Sequence, residues 1–191
     1  MKRINFTFEA IQSDLEQVLK PSRYEHTLGV LKMAESLATK HGCDVVKARL
    51  AALLHDCAKC IDEQEQIEIC QKYGIVLTDA ELSNHALIHA KCGVVIAKEK
   101  YGVTDTDILH AICYHTTGCK SMSLLDKIVY IADYIEPGRD KAPRLDEIRK
   151  MAMEDIDTAL YYILEDTVSY LNGTNKQIDK TTFETYEFYK K

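Results

Sequence analysis

The sequence predicts an all-α fold, a helical bundle in a single domain. The 191 residues include only 8 glycines and 3 prolines, fewer than the many turns of a β-sandwich or β-barrel require. Apolar residues recur at helical spacing along almost the whole chain, and no alternating strand pattern competes with them. Hydrophobic residues make up 46% and charged residues 28% of the chain, a composition typical of a globular protein that buries a core.

The first two helices are marked by their apolar faces and their end signals. Apolar residues at helical spacing over residues 6–19 predict the first helix. Ser22 is expected to cap the second helix, and Glu25, three residues later, completes a capping box. Gly42 is expected to end this second helix, because glycine readily adopts the left-handed conformation found after helices.

The remaining helices follow from the same signals. Asp44 is expected to cap a third helix that runs to about Cys57, and Asp62 to open a fourth that ends at Gly74. A short helical turn is expected over 79–83. The later predicted helices cover residues 85–100, 105–115, 123–135, 144–150, 155–171 and 179–190.

Charge and composition disfavour several classes of protein. A net charge of −6 argues against a nucleic-acid polymer as the main partner. No apolar run approaches the roughly 18 residues of a membrane span, and Glu9 and Asp14 interrupt the segment where a signal peptide needs an apolar core. The seven cysteines are expected to be reduced thiols, and the single pair Cys57-x-x-Cys60 is a weak signal for zinc. We therefore expect a cytoplasmic protein that does not bind membranes.

Histidine and aspartate residues carry the chemical signal. His55 and Asp56 end a very apolar helix, and Asp133 interrupts another apolar run, where an unpaired carboxylate is costly. A cation offsets that cost, and histidine and aspartate are good ligands for divalent transition metals. A single such histidine is more often a hydrogen-bonded core residue, but six candidates are harder to explain one by one. The candidate ligands are His26, His55, Asp56, His89, His115 and Asp133.

Four segments resemble the bacterial YqeK family of the HD-domain superfamily. The superfamily pattern of a histidine, a His-Asp pair and a later aspartate matches His26, His55-Asp56 and Asp133. The segments around these residues resemble the YqeK family more specifically. These segments are Arg23–Val30, Leu53–Lys59, Tyr114–Gly118 and Ile131–Asp140. The resemblance places the core motifs in residues 23–140 and leaves 144–191 as a C-terminal helical extension of the same domain.

The resemblance implies a helical, metal-dependent phosphohydrolase that cleaves diadenosine tetraphosphate symmetrically into two ADP. The four residues of the superfamily pattern would bind a first divalent ion, and Asp56 would bridge to a second one at His89 and His115. If only one ion binds, those two histidines would contact phosphate. The family implies iron, although mixed nitrogen and oxygen ligands also suit manganese, zinc or cobalt.

Cationic and hydroxyl side chains near these motifs are expected to bind the small-molecule substrate. Lys59 lies one helical turn after Asp56, and Arg139 follows Asp133 after a Pro-Gly turn. Gly118 is expected to let backbone N–H groups approach an anion. The expected catalytic residues are His55, Asp56 and Lys59. The expected substrate-binding residues are Arg23, His26, Lys59, His89, His115, Thr116, Thr117 and Arg139.

Three alternatives remain open at the level of sequence. The same ligands would serve a nucleotidase or a (deoxy)nucleoside triphosphate phosphohydrolase of the HD type. The chain could instead be a nucleotide-binding regulator with little turnover, or a helical bundle with incidental histidines. The last predicted helix carries Phe183, Tyr186 and Tyr189, which cover either the chain's own core or a second subunit, so a homodimer is a further expectation.

Overall fold

The chain folds as α-helices joined by short turns, as its sequence predicts. The computed structural model describes residues 7–174 and 178–190, so residue 6, the predicted start of the first helix, lies outside it. The described residues form eleven α-helices and one short 3-10 helix at His85–Leu87, and no β-strand. The α-helices are α1 (Phe8–Val18), α2 (Pro21–His41), α3 (Val45–Leu54), α4 (Glu63–Lys72), α5 (Asp79–Ser83), α6 (Ile88–Glu99), α7 (Thr106–Tyr114), α8 (Leu124–Ile135), α9 (Leu145–Glu154), α10 (Ile156–Asn172) and α11 (Lys180–Tyr189).

Side chains that accept hydrogen bonds from the first turn set the starts of α3 and α4, as predicted. The Asp44 carboxylate accepts the backbone N–H groups at the start of α3, and Asp62 does the same for α4. Such caps satisfy donors that have no partner within the helix. Gly42 and Gly74 follow α2 and α4 with φ angles of 72° and 69°, the left-handed conformation that ends helices.

The start of α2 differs from the prediction. Pro21 occupies the first helical position, Lys20 precedes it without a side-chain capping bond, and Ser22 lies inside the helix. Proline suits a first turn because its ring fixes a helical φ angle and its missing N–H would have no partner there. The predicted capping box of Ser22 and Glu25 is therefore wrong.

The end of α3 also differs from the prediction, at Leu54 rather than near Cys57. Beyond it, the N–H groups of Cys57, Lys59 and Ile61 bond to the carbonyls three residues earlier, at 3.1, 2.9 and 3.1 Å. These turns are tighter than an α-helix and change the direction of the chain. The two residues that follow Leu54 consequently lie at a helix end.

Four helices, α2, α3, α7 and α8, pack around one another and form the centre of the bundle, and α6 packs against α4 and α7. Each central helix contributes at least one fully buried apolar side chain, among them Leu37, Leu54, Ile112 and Ile131. All seven cysteines are free thiols, as expected. In the described ranges, no helix combines the length and the apolar character that a membrane span needs.

The C-terminal helices pack on this bundle. Helix α10 packs against α8, α9 and α11, and one cluster of buried apolar side chains extends from α1 to α10. Tyr186 and Tyr189 of α11 pack against this cluster, and the Tyr189 hydroxyl accepts the N–H of Met122 at 2.7 Å, whereas Phe183 is half exposed. The end of the chain thus covers its own core. We propose that the described residues form a single domain.

Candidate functional site

The six predicted ligands lie together, with Asp56 at the centre of the cluster. Asp56 Oδ1 lies 3.0 Å from His89 Nε2 and 3.6 Å from His115 Nε2. Asp56 Oδ2 lies 3.4 Å from His55 Nε2 and 3.9 Å from His26 Nε2. The two oxygens of one buried carboxylate therefore face two different pairs of imidazole rings.

Asp133, on α8, completes the cluster. Its Oδ1 lies 3.0 Å from His26 Nε2. One ligand atom each from Asp133, His55 and His115 lie within 4.8 Å of one another. The cluster therefore draws on the central helices α2 and α8, on the start of α6, and on the turns after α3 and α7.

Backbone carbonyls at helix ends fix three of the histidine rings. The Nδ1 atoms of His55, His89 and His115 lie 2.7, 2.7 and 2.8 Å from the carbonyl oxygens three residues earlier. The carbonyls of Ala52 and Ile112 lie in the last turns of α3 and α7, where carbonyls lack an intrahelical partner and are free to accept such bonds. The carbonyl of Ala86 lies in the 3-10 helix that precedes α6. When Nδ1 donates its proton in this way, Nε2 keeps its lone pair and faces the cluster.

The donor set fits a divalent metal ion. Among the described residues, the Nε2 atoms of His26 and His55 are buried without a hydrogen-bond partner of acceptable geometry. Buried polar atoms are rarely left unsatisfied, and a cation would satisfy both nitrogens. Neutral imidazole nitrogens and carboxylate oxygens are the ligands that divalent transition metals take in proteins.

The electrostatics of the cluster keep Asp56, Asp133 and His89 in the protonation states of metal ligands. Burial tends to lower the pKa of His55, but the neighbouring Asp56 outweighs burial and raises this pKa. Burial tends to raise the pKa of Asp56, but the neighbouring histidines outweigh burial and hold this pKa well below its usual range. The pKa of Asp133 is lowered in the same way, against the effect of burial. Burial lowers the pKa of His89 to about 4. Both carboxylates are thus ionised and His89 is neutral near neutral pH, as metal binding requires.

Three cationic side chains lie at the cluster. Arg23 contacts Asp56 Oδ2 through Nη1 at 2.7 Å. Lys59 Nζ lies 3.1 Å from Nδ1 of His89. Arg139 turns back to Asp133, where its Nη2 lies 3.2 Å from Oδ1 and also donates to the backbone carbonyl at 3.0 Å. About a third of the Arg23 and Arg139 side chains is exposed, so both can reach a ligand that enters from solvent.

The turn after α7 carries Thr116, Thr117 and Gly118, which were predicted to lie near the substrate. Thr116 lines a cavity of about 120 Å³ together with His115. The hydroxyl of Thr117 donates to the Gly118 carbonyl at 3.0 Å, and Thr117 lines a neighbouring cavity. The Gly118 N–H donates to the Tyr114 carbonyl at 2.9 Å, because the turn continues the helical hydrogen bonding. This N–H group is therefore already paired, and the approach of other backbone N–H groups of the turn to an anion stays a prediction.

Glu136 also belongs to the site, although it is not among the residues predicted from the sequence. It is buried, and its Oε1 lies 3.1 Å from His26 Nδ1. The signal that revealed Asp133 also applies to Glu136, because both carboxylates adjoin the apolar run of α8. Burial of a carboxylate in such a place calls for a partner.

Comparisons with known proteins place the chain among similar sequences. The HD domain family matches residues 23–138. The chain is 41% identical over 176 residues to "Bis(5'-nucleosyl)-tetraphosphatase, symmetrical" of Bacillus subtilis. The matched segment covers 91% of this chain and 92% of the relative. The protein of the same name from Halalkalibacterium halodurans is 39% identical over 174 residues, 89% of this chain and 92% of the relative.

A solved structure extends the similarity to the whole fold. The crystal structure of a predicted HD superfamily hydrolase involved in NAD metabolism from Clostridium acetobutylicum matches with a TM-score of 0.92 and 40% identity. The match covers 96% of this chain and 97% of that one. The chain therefore belongs to the HD-domain superfamily and, within it, to the YqeK family that its sequence motifs resemble.

Proposed function

We propose that the protein is a metal-dependent phosphohydrolase that cleaves diadenosine tetraphosphate symmetrically into two ADP. The observation that carries the proposal is the position of Asp56, whose two oxygens face two pairs of histidines. The relatives named as symmetrical bis(5'-nucleosyl)-tetraphosphatases, which match along most of their length, support this substrate. Water attacks one of the two central phosphorus atoms, and the oxygen that bridges them leaves with the other half.

We propose two ions at this site. The first ion would be held by His26, His55, Asp56 and Asp133. The second ion would be held by Asp56, His89 and His115. Bound there, divalent ions supply Lewis acidity, which neutralises charge on the phosphoryl oxygens and makes water a better nucleophile at neutral pH. Iron is the proposed native metal, and the donor set also suits manganese and cobalt.

The chain's own residues bind and orient the polyphosphate. Arg23 and Arg139 lie at the cluster with partly exposed side chains, and guanidinium groups pair well with phosphate oxygens. Lys59 adds a third positive charge, and Thr116 presents a side chain to the cavity beside His115. The three cations lie at the cluster, where they would offset part of the negative charge of a bridge of four phosphates. Cytoplasmic location and a homodimer stay predictions from the sequence.

Incubation with diadenosine tetraphosphate tests the proposed function directly. The purified protein, supplied in turn with iron(II), manganese and cobalt, is expected to yield ADP as the sole nucleotide product on ion-exchange chromatography. In ¹⁸O-labelled water, one of the two ADP molecules is expected to carry the label on its terminal phosphate. AMP together with ATP, or no turnover with any of the metals, would overturn the proposal. Faster turnover of mononucleotides or (deoxy)nucleoside triphosphates would favour the alternative phosphohydrolases, and tight ADP binding without turnover would favour a regulator.

Arg139→Ala is expected to raise KM for diadenosine tetraphosphate about 10- to 100-fold, since a charged hydrogen bond contributes about 1.5–3 kcal/mol. The phosphate contact exists in both the ground state and the transition state, so kcat should change much less. Steady-state kinetics at saturating metal measure both constants. Lys40→Ala removes an exposed charge at the far end of α2 and serves as the matched control. A fall in kcat with unchanged KM would contradict a role in substrate binding.

A further inference from the structure

His26 is held differently from the other three histidines of the cluster. It lies inside α2 rather than at a helix end, and its Nδ1 lies 3.1 Å from Oε1 of Glu136. Backbone carbonyls inside a helix already accept the N–H groups four residues later, so a ring in this position needs a side-chain acceptor. Among the described residues, Glu136 is the acceptor that meets the Nδ1 side of this ring.

The carboxylate of Glu136 is closely surrounded. Glu136 is 5% exposed, and its Oε2 accepts the N–H of Gly138 at 2.5 Å. A Cβ atom on Gly29 would lie 2.5 Å from the same oxygen, and one on Gly138 would lie 3.0 Å from it. The two glycines therefore leave space that the carboxylate fills.

The backbone around Glu136 is also fixed, by a side chain from α9. Arg149 donates to the carbonyl oxygens of Ile135, Glu136 and Arg139 at 3.0, 3.0 and 2.8 Å. One guanidinium group thus holds, by three hydrogen bonds, the turn that carries both Glu136 and Arg139. The turn cannot shift without breaking these bonds.

We propose that Glu136 is a positioning residue that orients His26 as a metal ligand, and that Gly29 is glycine because α2 must approach this carboxylate closely. A carboxylate that accepts the Nδ1 proton fixes the tautomer and direction of the ring and makes its Nε2 a stronger donor to a cation. The proposal rests on the proposed function only in that the ion at His26 is the one used for catalysis.

Metal affinity tests this role without any nucleotide. Glu136→Ala is expected to bind Co²⁺ or Mn²⁺ about 10- to 100-fold more weakly than the parent chain in a chelator competition titration. Glu136→Gln keeps an acceptor oxygen and should restore part of the affinity. Glu147→Gln makes the same charge change at an exposed position of α9 and should leave affinity unchanged. Parent affinity in Glu136→Ala would overturn the proposal, and it would do so whatever the substrate proves to be.

Gly29→Ala provides a second variant that keeps Glu136 in place. Alanine is a better helix former than glycine, so this change should not lower the unfolding temperature through the helix itself. The added Cβ would push the carboxylate away from His26, and metal affinity is expected to fall at least several-fold while the circular dichroism spectrum stays that of the parent. Ser36→Ala, on the exposed side of the same helix, is the control and should bind metal normally. Unchanged metal affinity in Gly29→Ala would show that the close approach has no part in positioning.

Discussion

Asp56→Asn is expected to lower kcat for diadenosine tetraphosphate by about 10³-fold or more, corresponding to a loss of roughly 4 kcal/mol of transition-state stabilisation. Asp56 faces all four histidines of the cluster, so its replacement removes the shared ligand of both proposed ions. An amide carries no charge to balance the cations and offers one acceptor oxygen where the carboxylate offers two. Steady-state assays with each metal measure the fall.

Metal-dependent stability gives a second readout for Asp56→Asn. A ligand that binds only the folded state raises the unfolding temperature, so the parent chain should unfold at a higher temperature with Mn²⁺ or Co²⁺ than without. The variant is expected to lose most of that increase. Asp107→Asn makes the same chemical change at an exposed residue near the start of α7 and should behave as the parent. A variant that retains both activity and the metal-dependent increase would exclude Asp56 as the shared ligand.

Helix positions were predictable because each helix carries its own signals. Asp44 and Asp62 cap their helices, and Gly42 ends α2, since these effects depend on neighbouring residues along the chain. The errors arise where two local signals compete, as when Pro21 rather than Ser22 sets the start of α2. The end of α3 depends on tertiary packing around the site, which local signals do not contain.

The ligand cluster was predictable because buried charge is costly. His55, Asp56 and Asp133 stand in apolar surroundings that require a compensating cation, and the family resemblance joined them to the other histidines. The partner of a histidine ring depends on which residues meet in space. The contact between His26 and Glu136 spans 110 positions in the chain, so no local pattern reveals it. A glycine inside a long helix, Gly29, was the available hint, because such a glycine is destabilising unless something packs closely against it.

Leu160→Ala is expected to lower the free energy of unfolding by about 2–5 kcal/mol, because it leaves a cavity at a fully buried position of α10. For a chain of this size that loss corresponds to an unfolding temperature roughly 5–15 °C lower. Helix α10 packs against α8, which carries Asp133, so the loss should reach the metal cluster. Thermal unfolding followed by far-ultraviolet circular dichroism measures the change.

The same variant tests whether the C-terminal helices belong to one domain with the site. If the C-terminal helices and the site form one domain, the helical signal and the bound Co²⁺ should be lost in a single transition, in the parent and in Leu160→Ala alike. In the variant, the two signals should shift to lower temperature by the same amount. Leu82→Ala removes the same atoms from a side chain that is 47% exposed and should cost less than 1 kcal/mol or so. Two separate transitions, with the metal signal unaffected by Leu160→Ala, would show instead that residues after 144 fold apart from the bundle. A shared transition has a physical cause in the buried cluster, because apolar side chains of α8 and α10 exclude water from a common core and neither helix can unfold without exposing the other.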